Sequence, residues 1–394
     1  MKYTQASCPV CGSGNVSAVV EIPQAPVFCN VLWRSRDEAL KAPLGEISLG
    51  FCRDCGHIFN RAFDPSRMCY TGEYENSLHF SPRFQEYATD LAEDLVRRYQ
   101  LSGKTIMEIG CGKGDFLSLI CGLGGNRGIG FDPSCDEQRA FNAGGENVTI
   151  VRDYYSEKYS GQQADLVCCR HVLEHVQDPV NFLTGLRLAA GPRPDAVYFF
   201  EVPNAVFTLR DLGIWDIIYE HCSYFTACSL ASLFSSCGFG VSDLSEGFEG
   251  QFLRIEARLA GDGQAGGFTS REKVNALASH TDNFAGEYAG KVLHWRRELE
   301  KFRKSGLKTV IWGGGSKGVS FLNTLGVRDS VEYVVDVSPY KHGRYIPGTG
   351  QRIVLPEFLS TYRPDIVIVM NPVYLREIRQ MADGLGITPE IIPV

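Results

Sequence analysis

The strand-length apolar run Thr105–Ile109 leads into Glu108-Ile109-Gly110-Cys111-Gly112-Lys113-Gly114-Asp115-Phe116, and the next such run, Arg127–Phe131, is followed by Asp132. A strand, a glycine turn and a helix start, in that order, constrain the fold more than any other feature of the chain. The glycines let the backbone turn tightly and approach a ligand, while the helix start supplies amide donors. Such a unit belongs in a parallel sheet with crossover helices. Further candidate strands continue the pattern at Asp165–Cys169, Ala196–Val202, 239–245 and 251–258. Phe84, Tyr87, Ala88, Leu91, Leu95 and Val96 recur at helical spacing and predict a helix from about 82. With Asp at 115 the loop reads GxGxG rather than the dinucleotide GxGxxG, and Asp132 is placed to accept from both hydroxyls of a ribose.

A Gly-rich break, GDGQAGG at 261–267, and a polar helical stretch to about 305 precede a second α/β pattern. Its candidate strands are Lys308–Trp312, Val331–Asp336, Asp365–Met370 and Glu390–Val394. Here the loop is Gly313-x-Gly315-x-x-Gly318 with Asp336 ending the next strand, formally the dinucleotide fingerprint. Taken alone it argues an NAD(P)-dependent oxidoreductase. Lys317 inside the loop suits a substrate's diphosphate instead, and no hydride-transfer constellation accompanies it. A plain scaffold role is the third reading.

Cys8-x-x-Cys11 and Cys52-x-x-Cys55 each place two thiolates on a tight turn ending in glycine, and together they predict a four-thiolate zinc site. Four thiolates leave no open coordination position, so the expected role is structural. The spacing predicts an inserted loop, about 20–48, between the knuckles. Buried free cysteines or a redox dithiol are the alternatives. The chain's 14 cysteines do not suggest a secreted disulfide scaffold, because 394 residues need no staples and Cys168, Cys169 and Cys237 sit in apolar elements. A net charge of -7 without a Lys/Arg-rich run argues against nucleic-acid and membrane-surface roles. No apolar run approaches the roughly 20 residues of a membrane span. The N-terminus has no signal-peptide apolar region. The expectation is a cytoplasmic protein, monomeric or a small homo-oligomer.

After the first loop come Arg170-His171-Val172-Leu173-Glu174-His175-Val176-Gln177-Asp178-Pro179 and Glu201-Val202-Pro203-Asn204. With the glycine loop and Asp132 they resemble the motif set of class I S-adenosylmethionine-dependent methyltransferases. More narrowly, the chain resembles a multi-domain family that includes sugar C-methyltransferases of deoxysugar biosynthesis. That likeness is carried by Tyr74-Glu75-Asn76-Ser77, by Tyr219-Glu220-His221-Cys222-Ser223-Tyr224-Phe225, and by Gly313–Gly318 with Asp336, Lys341 and Ile346-Pro347-Gly348-Thr349. Two departures stand out: Tyr219 abuts the Glu-His pair where the family places one residue between, and Tyr74-Glu-Asn-Ser replaces a YxSS-like motif.

The resemblance implies a zinc-binding module (1–70), a Rossmann-like class I core (71–260), a helical linker (261–305) and a second Rossmann-like α/β domain (306–394). It implies S-adenosyl-L-methionine held by Glu108, Gly110, Gly112, Gly114, Phe116, Asp132, Pro133, Arg170, His171 and His175. It also implies a small-molecule acceptor, a nucleotide sugar among the candidates, met by Asn204, Ser316, Lys317, Asp336 and Lys341. C-methylation needs a carbanion, usually an enolate, and histidine is the natural base near neutral pH. In the family the Glu-His pair lies over the pocket, so the resemblance implies His221 as the base and Glu220 as its partner, with Tyr219, Tyr224 or Tyr74 donating to the enolate oxygen. A packed lid residue is the alternative for His221, and O- or N-methylation the alternative chemistry. His171 and His175, lacking a third ligand in sequence, read as pocket wall or helix cap rather than a metal site.

Overall fold

The computed structural model describes residues 5–68, 74–135, 147–190, 195–260 and 270–394; the Gly-rich stretch 261–267 lies outside them. Three sheets organise the chain. The first starts with β1 (Val16–Pro26), β2 (Leu44–Cys52) and β3 (Ile58–Asn60), paired antiparallel in chain order. The segment between the cysteine pairs thus carries two paired strands and the short helix Arg36–Leu40, where an inserted loop was expected over about 20–48. Ile47, Leu49 and Phe51 recur at every second residue and are buried, the period of a half-buried strand. Pairing Val16 with Cys52 brings the start of β1, just after Cys8 and Cys11, beside the second knuckle.

The second sheet holds β4 (Thr105–Ile109), β5 (Arg127–Phe131), β6 (Val148–Val151), β7 (Leu166–Arg170) and β8 (Val197–Pro203), all parallel. Next comes β9 (Ser223–Tyr224), which leaves this sheet and pairs with β3, so the segment carrying His221 is stitched to the N-terminal sheet. The hairpin β10 (Phe239–Gly247) and β11 (Phe252–Leu259) returns to the second sheet. Its order is β10-β11-β8-β7-β4-β5-β6, with β11 antiparallel to both neighbours. All five residues of β7 are buried, as the centre of a sheet covered on both faces demands. The predicted helix spans Pro82–Tyr99 and buries Phe84, Tyr87, Ala88, Leu91, Ala92 and Leu95.

The helix Arg271–Lys304 then turns one stripe inward, including Phe284, Trp295 and Leu299. It shares a core with Ile47 of β2 and with Ile311 and Phe321 of the last unit. That unit is a third sheet of β12 (Thr309–Trp312), β13 (Tyr333–Val335), β14 (Arg352–Val354), β15 (Ile366–Val369) and β16 (Glu390–Pro393). It is wholly parallel, in the order β14-β13-β12-β15-β16. Two topological switch points result, after β4 and after β12, the places where open parallel sheets bind ligands. Among the described residues no helix is long and apolar enough to cross a membrane.

Candidate active site

At the first switch point Gly110, Gly112 and Gly114 take φ of 72°, 57° and 85°. A Cβ on Gly110 would lie 2.1 Å from Val172 Cγ2, whereas one on Gly112 would meet nothing within 4 Å and would project into the cavity that Gly112 lines. Gly114 starts the helix Asp115–Gly124 without a side-chain cap, which leaves first-turn amides to a ligand. The Gly112 amide donates to Asp132 Oδ2 (2.9 Å), and Ser134 donates to Oδ1 from its amide (2.8 Å) and hydroxyl (2.6 Å). Asp132 is thereby fixed against the loop it serves. Glu108 lies in the cavity wall with Oε2 buried and unpartnered, and burial pushes its carboxyl up to about 7.

Arg170 stands over the Phe116 ring (4.1 Å to the centroid) and donates from both Nε (3.1 Å) and Nη2 (2.8 Å) to Glu201 Oε1. Tyr87 also donates to Glu201, tying the helix 82–99 to β8. Burial alone would raise the Glu201 carboxyl, but Arg170, His171 and Tyr87 outweigh it and hold it down at about 2.

The second loop repeats the first in outline. The Gly314 amide donates to Asp336 Oδ2 (2.9 Å), as Gly112 does to Asp132. Gly315 starts the helix Ser316–Leu325 without a side-chain cap. A Cβ on Gly318 would strike the Gly313 carbonyl oxygen at 2.0 Å, which explains glycine there. Lys341 Nζ donates to Asp336 Oδ2 (3.3 Å), and Lys317 pairs with Asp216.

Both loops line one cavity of about 730 Å³. Its wall takes Glu108, Gly110, Gly112, Phe116, Asp132, Pro133, Arg170, His171 and His175 from the second sheet's side. Ser316, Lys317, Asp336 and Lys341 come from the third sheet's side, with Tyr74 and His221 also in the wall. His221 meets the His175 ring at 5.0 Å between centroids, and His175 Nδ1 lies 2.9 Å from the Glu220 carbonyl oxygen. Burial lowers His175 to about 4 and His221 well below the usual histidine range, so both imidazoles are neutral.

Other expected residues lie outside the cavity wall. Glu220 does not pair with His221: its Oε2 accepts from the Cys29 amide (3.0 Å) and its carboxyl also meets the Tyr74 hydroxyl. The two consecutive side chains leave the backbone in different directions. Tyr219 accepts from the Asp64 amide (2.9 Å), and Tyr224 donates to the Ile218 carbonyl (3.0 Å). Asn204 caps the helix Ala205–Arg210 and donates to the Gly250 carbonyl (2.9 Å). Gly114 acts behind the wall, as a helix start. Sequence reasoning missed Asn30, Asp216, Glu174 and Gln251, which do line the cavity. Asn30 carries no local signal at all, and Glu174 lies inside a quoted motif without a role attached.

The four cysteines converge as expected. Cys8 and Cys55 sulfurs are 3.6 Å apart, Cys11 and Cys52 sulfurs 3.5 Å, and all four lie within 4.8 Å of one another. Tetrahedral zinc with bonds of about 2.3 Å would hold its sulfurs about 3.8 Å apart. Gly12 and Gly56 have φ of 74° and 77°, the turn conformation each knuckle needs.

Comparisons with known proteins agree with this architecture. Residues 83–244 match the model of a methyltransferase domain, and residues 269–386 that of a C-methyltransferase C-terminal domain. The chain is 26% identical over 389 residues to C-methyltransferase NovU of Streptomyces niveus, covering 94% of this chain and 90% of that enzyme. It is 32% identical over 145 residues to a ubiquinone biosynthesis O-methyltransferase of Methylobacterium sp. (strain 4-46), but covers only 56% of it. An S-adenosylmethionine-dependent methyltransferase structure from Aquifex aeolicus matches 46% of this chain and 95% of its own at 15% identity, with a TM-score of 0.36 that is too low to add weight. Fold and sequence matches together define a class I S-adenosylmethionine-dependent methyltransferase. Within that class the chain carries the C-methyltransferase C-terminal domain match over residues 269–386 and is similar along nearly its whole length to C-methyltransferase NovU.

Proposed function

We propose that this methyltransferase C-methylates a small carbonyl compound carrying an anionic nucleotide-like group, with a nucleotide-linked keto-deoxysugar as the acceptor class. The observation that carries the reading is the single cavity lined by both glycine loops, with His221 in its wall. S-adenosylmethionine, held at the first loop, supplies an electrophilic methyl on a sulfonium. Gly110 and Gly112 let the backbone approach it, Asp132 accepts from its ribose, and the start of the helix 115–124 offers amides. Ser316, Lys317 and the start of the helix 316–325 suit the acceptor's phosphates. Lys341, beside Asp336, adds a cation on the second loop's side, which suits an anionic acceptor.

His221, neutral and in the wall, takes the proton from the carbon beside the ketone. The resulting carbanion is the nucleophile that would accept the methyl group from a bound donor, and the imidazolium returns its proton to solvent. Tyr74 is the expected tyrosine that reaches the cavity, so it is the one to donate to the enolate oxygen, turning its proton from the Glu220 carboxyl; Tyr219 and Tyr224 brace the fold instead. Holding the two reactants in line supplies much of the rate. Cys8, Cys11, Cys52 and Cys55 hold a structural zinc, a reading supported by the spacing of their sulfurs.

Mass spectrometry after incubation with methyl-deuterated S-adenosylmethionine and a panel of nucleotide-linked ketosugars tests the reading. A labelled methyl on carbon is the expected result. Label on oxygen or nitrogen contradicts C-methylation while leaving methyl transfer intact.

A further inference from the structure

Glu174 is 2% exposed, lies in the cavity wall, and its Oε2 has no hydrogen-bond partner. A buried carboxylate oxygen left unpartnered is costly unless a ligand meets it. Two imidazoles stand beside it: one ligating atom from each of Glu174, His175 and His221 lies within 4.8 Å of the others. The Glu220 carbonyl can only accept, so the proton of His175 sits on Nδ1 and the lone pair on Nε2. Donating one ring N–H to a backbone carbonyl is how metal-ligating histidines are oriented. His171 adds a third ring, with Nδ1 3.8 Å from Glu174 Oε1.

One carboxylate and two imidazoles facing an open cavity form a donor set with free coordination positions. It suits first-row divalent transition ions, whereas Mg²⁺ and Ca²⁺ prefer oxygen alone. We propose that Glu174, His175 and His221 bind one divalent transition-metal ion at the wall between the two glycine loops, separate from the four-cysteine site. The inference goes beyond the methylation reading and stands on the cluster alone. It carries one consequence for that reading: a lone pair given to a metal cannot take a proton, so ion binding and the base role of His221 exclude one another in time.

The test is titration of the full-length protein with Co²⁺, followed in the visible and near ultraviolet. Cobalt on nitrogen and oxygen shows only weak d–d bands, whereas cobalt on the four thiolates adds a strong sulfur-to-metal charge-transfer band. One equivalent without the charge-transfer band is expected. Glu174→Gln, His175→Gln and His221→Ala should each weaken its uptake by more than the roughly 10–100-fold that loss of an outer-shell partner costs, with thermal melting checking that each variant folds. Glu174→Gln is isosteric and keeps the test open if a histidine variant does not fold. No cobalt uptake outside the thiolate site, or uptake unchanged in every folded variant, would overturn the proposal. Loss of cobalt uptake says nothing for or against methylation, which is read separately by labelled methyl transfer.

Discussion

Gly112 makes the sharpest demand on a single residue: positive φ and open cavity where its Cβ would be. Gly112→Val should lower S-adenosylhomocysteine affinity by about tenfold or more in calorimetry, whereas Gly315→Val, at the other loop, should leave it unchanged. Equal loss in both would mean that the donor does not sit at the first loop. Glu108 makes a different prediction. Burial holds its folded-state carboxyl near 7, above its unfolded value, so through that window the unfolded chain releases the proton first. This group's contribution to stability therefore falls as pH rises from about 4.5 to 7. Glu108→Gln should show a smaller loss of melting temperature across that range than the parent, and identical slopes would contradict the assignment. Single residues were legible where the backbone required them: the glycines, Asp132 and Asp336 follow from the geometry of a strand-to-helix turn. Glu220 was not, because the direction of one side chain beside its neighbour depends on Cys29, almost two hundred residues away in sequence.

Elements were legible where their hydrophobic period was long. The helix 82–99 and strands β4, β5 and β8 follow from their own sequences, while β1 and β2 are masked because the long spacing between the knuckles suggests a loop. Pairing of β9 with β3 has no local signal, since two residues cannot show a period. Two couplings between elements can be measured. Tyr87 and Arg170 join the helix 82–99 and β7 to Glu201 on β8, with Arg170 and Glu201 both buried. Glu201→Gln leaves Arg170 without its charge partner and should cost about 3–5 kcal/mol in denaturant unfolding; a change under about 1 kcal/mol would show that the pair does not hold these elements. The second knuckle also grips the long helix, with Arg53 donating to Asp282 (2.5 Å) and Arg271 to Asp54 (3.1 Å). Removing zinc with a chelator should speed amide hydrogen exchange at both knuckles and at the start of the helix 271–304, leaving β4 and β7 protected. Unchanged exchange at the knuckles would contradict a structural metal.

At the scale of the molecule, the chain builds two parallel sheets with matching loop-and-aspartate ends and makes them share one cavity, closed in part by a histidine segment anchored to the N-terminal sheet. Each loop was readable in sequence; that they face one cavity was not, because no local pattern encodes how separate sheets pack. The reading of C-methylation depends on that meeting and on His221 as base. It is tested most directly by solvent exchange in D₂O, with a nucleotide-linked ketosugar that accepts the methyl group and S-adenosylhomocysteine in place of the methyl donor. With no methyl to trap the carbanion, the wild-type enzyme should exchange the proton on the carbon beside the ketone, and His221→Ala should lose that exchange by roughly 10²–10⁴-fold. Exchange that survives in His221→Ala would remove the base role from this residue, and no exchange in the wild type would contradict methylation through an enolate.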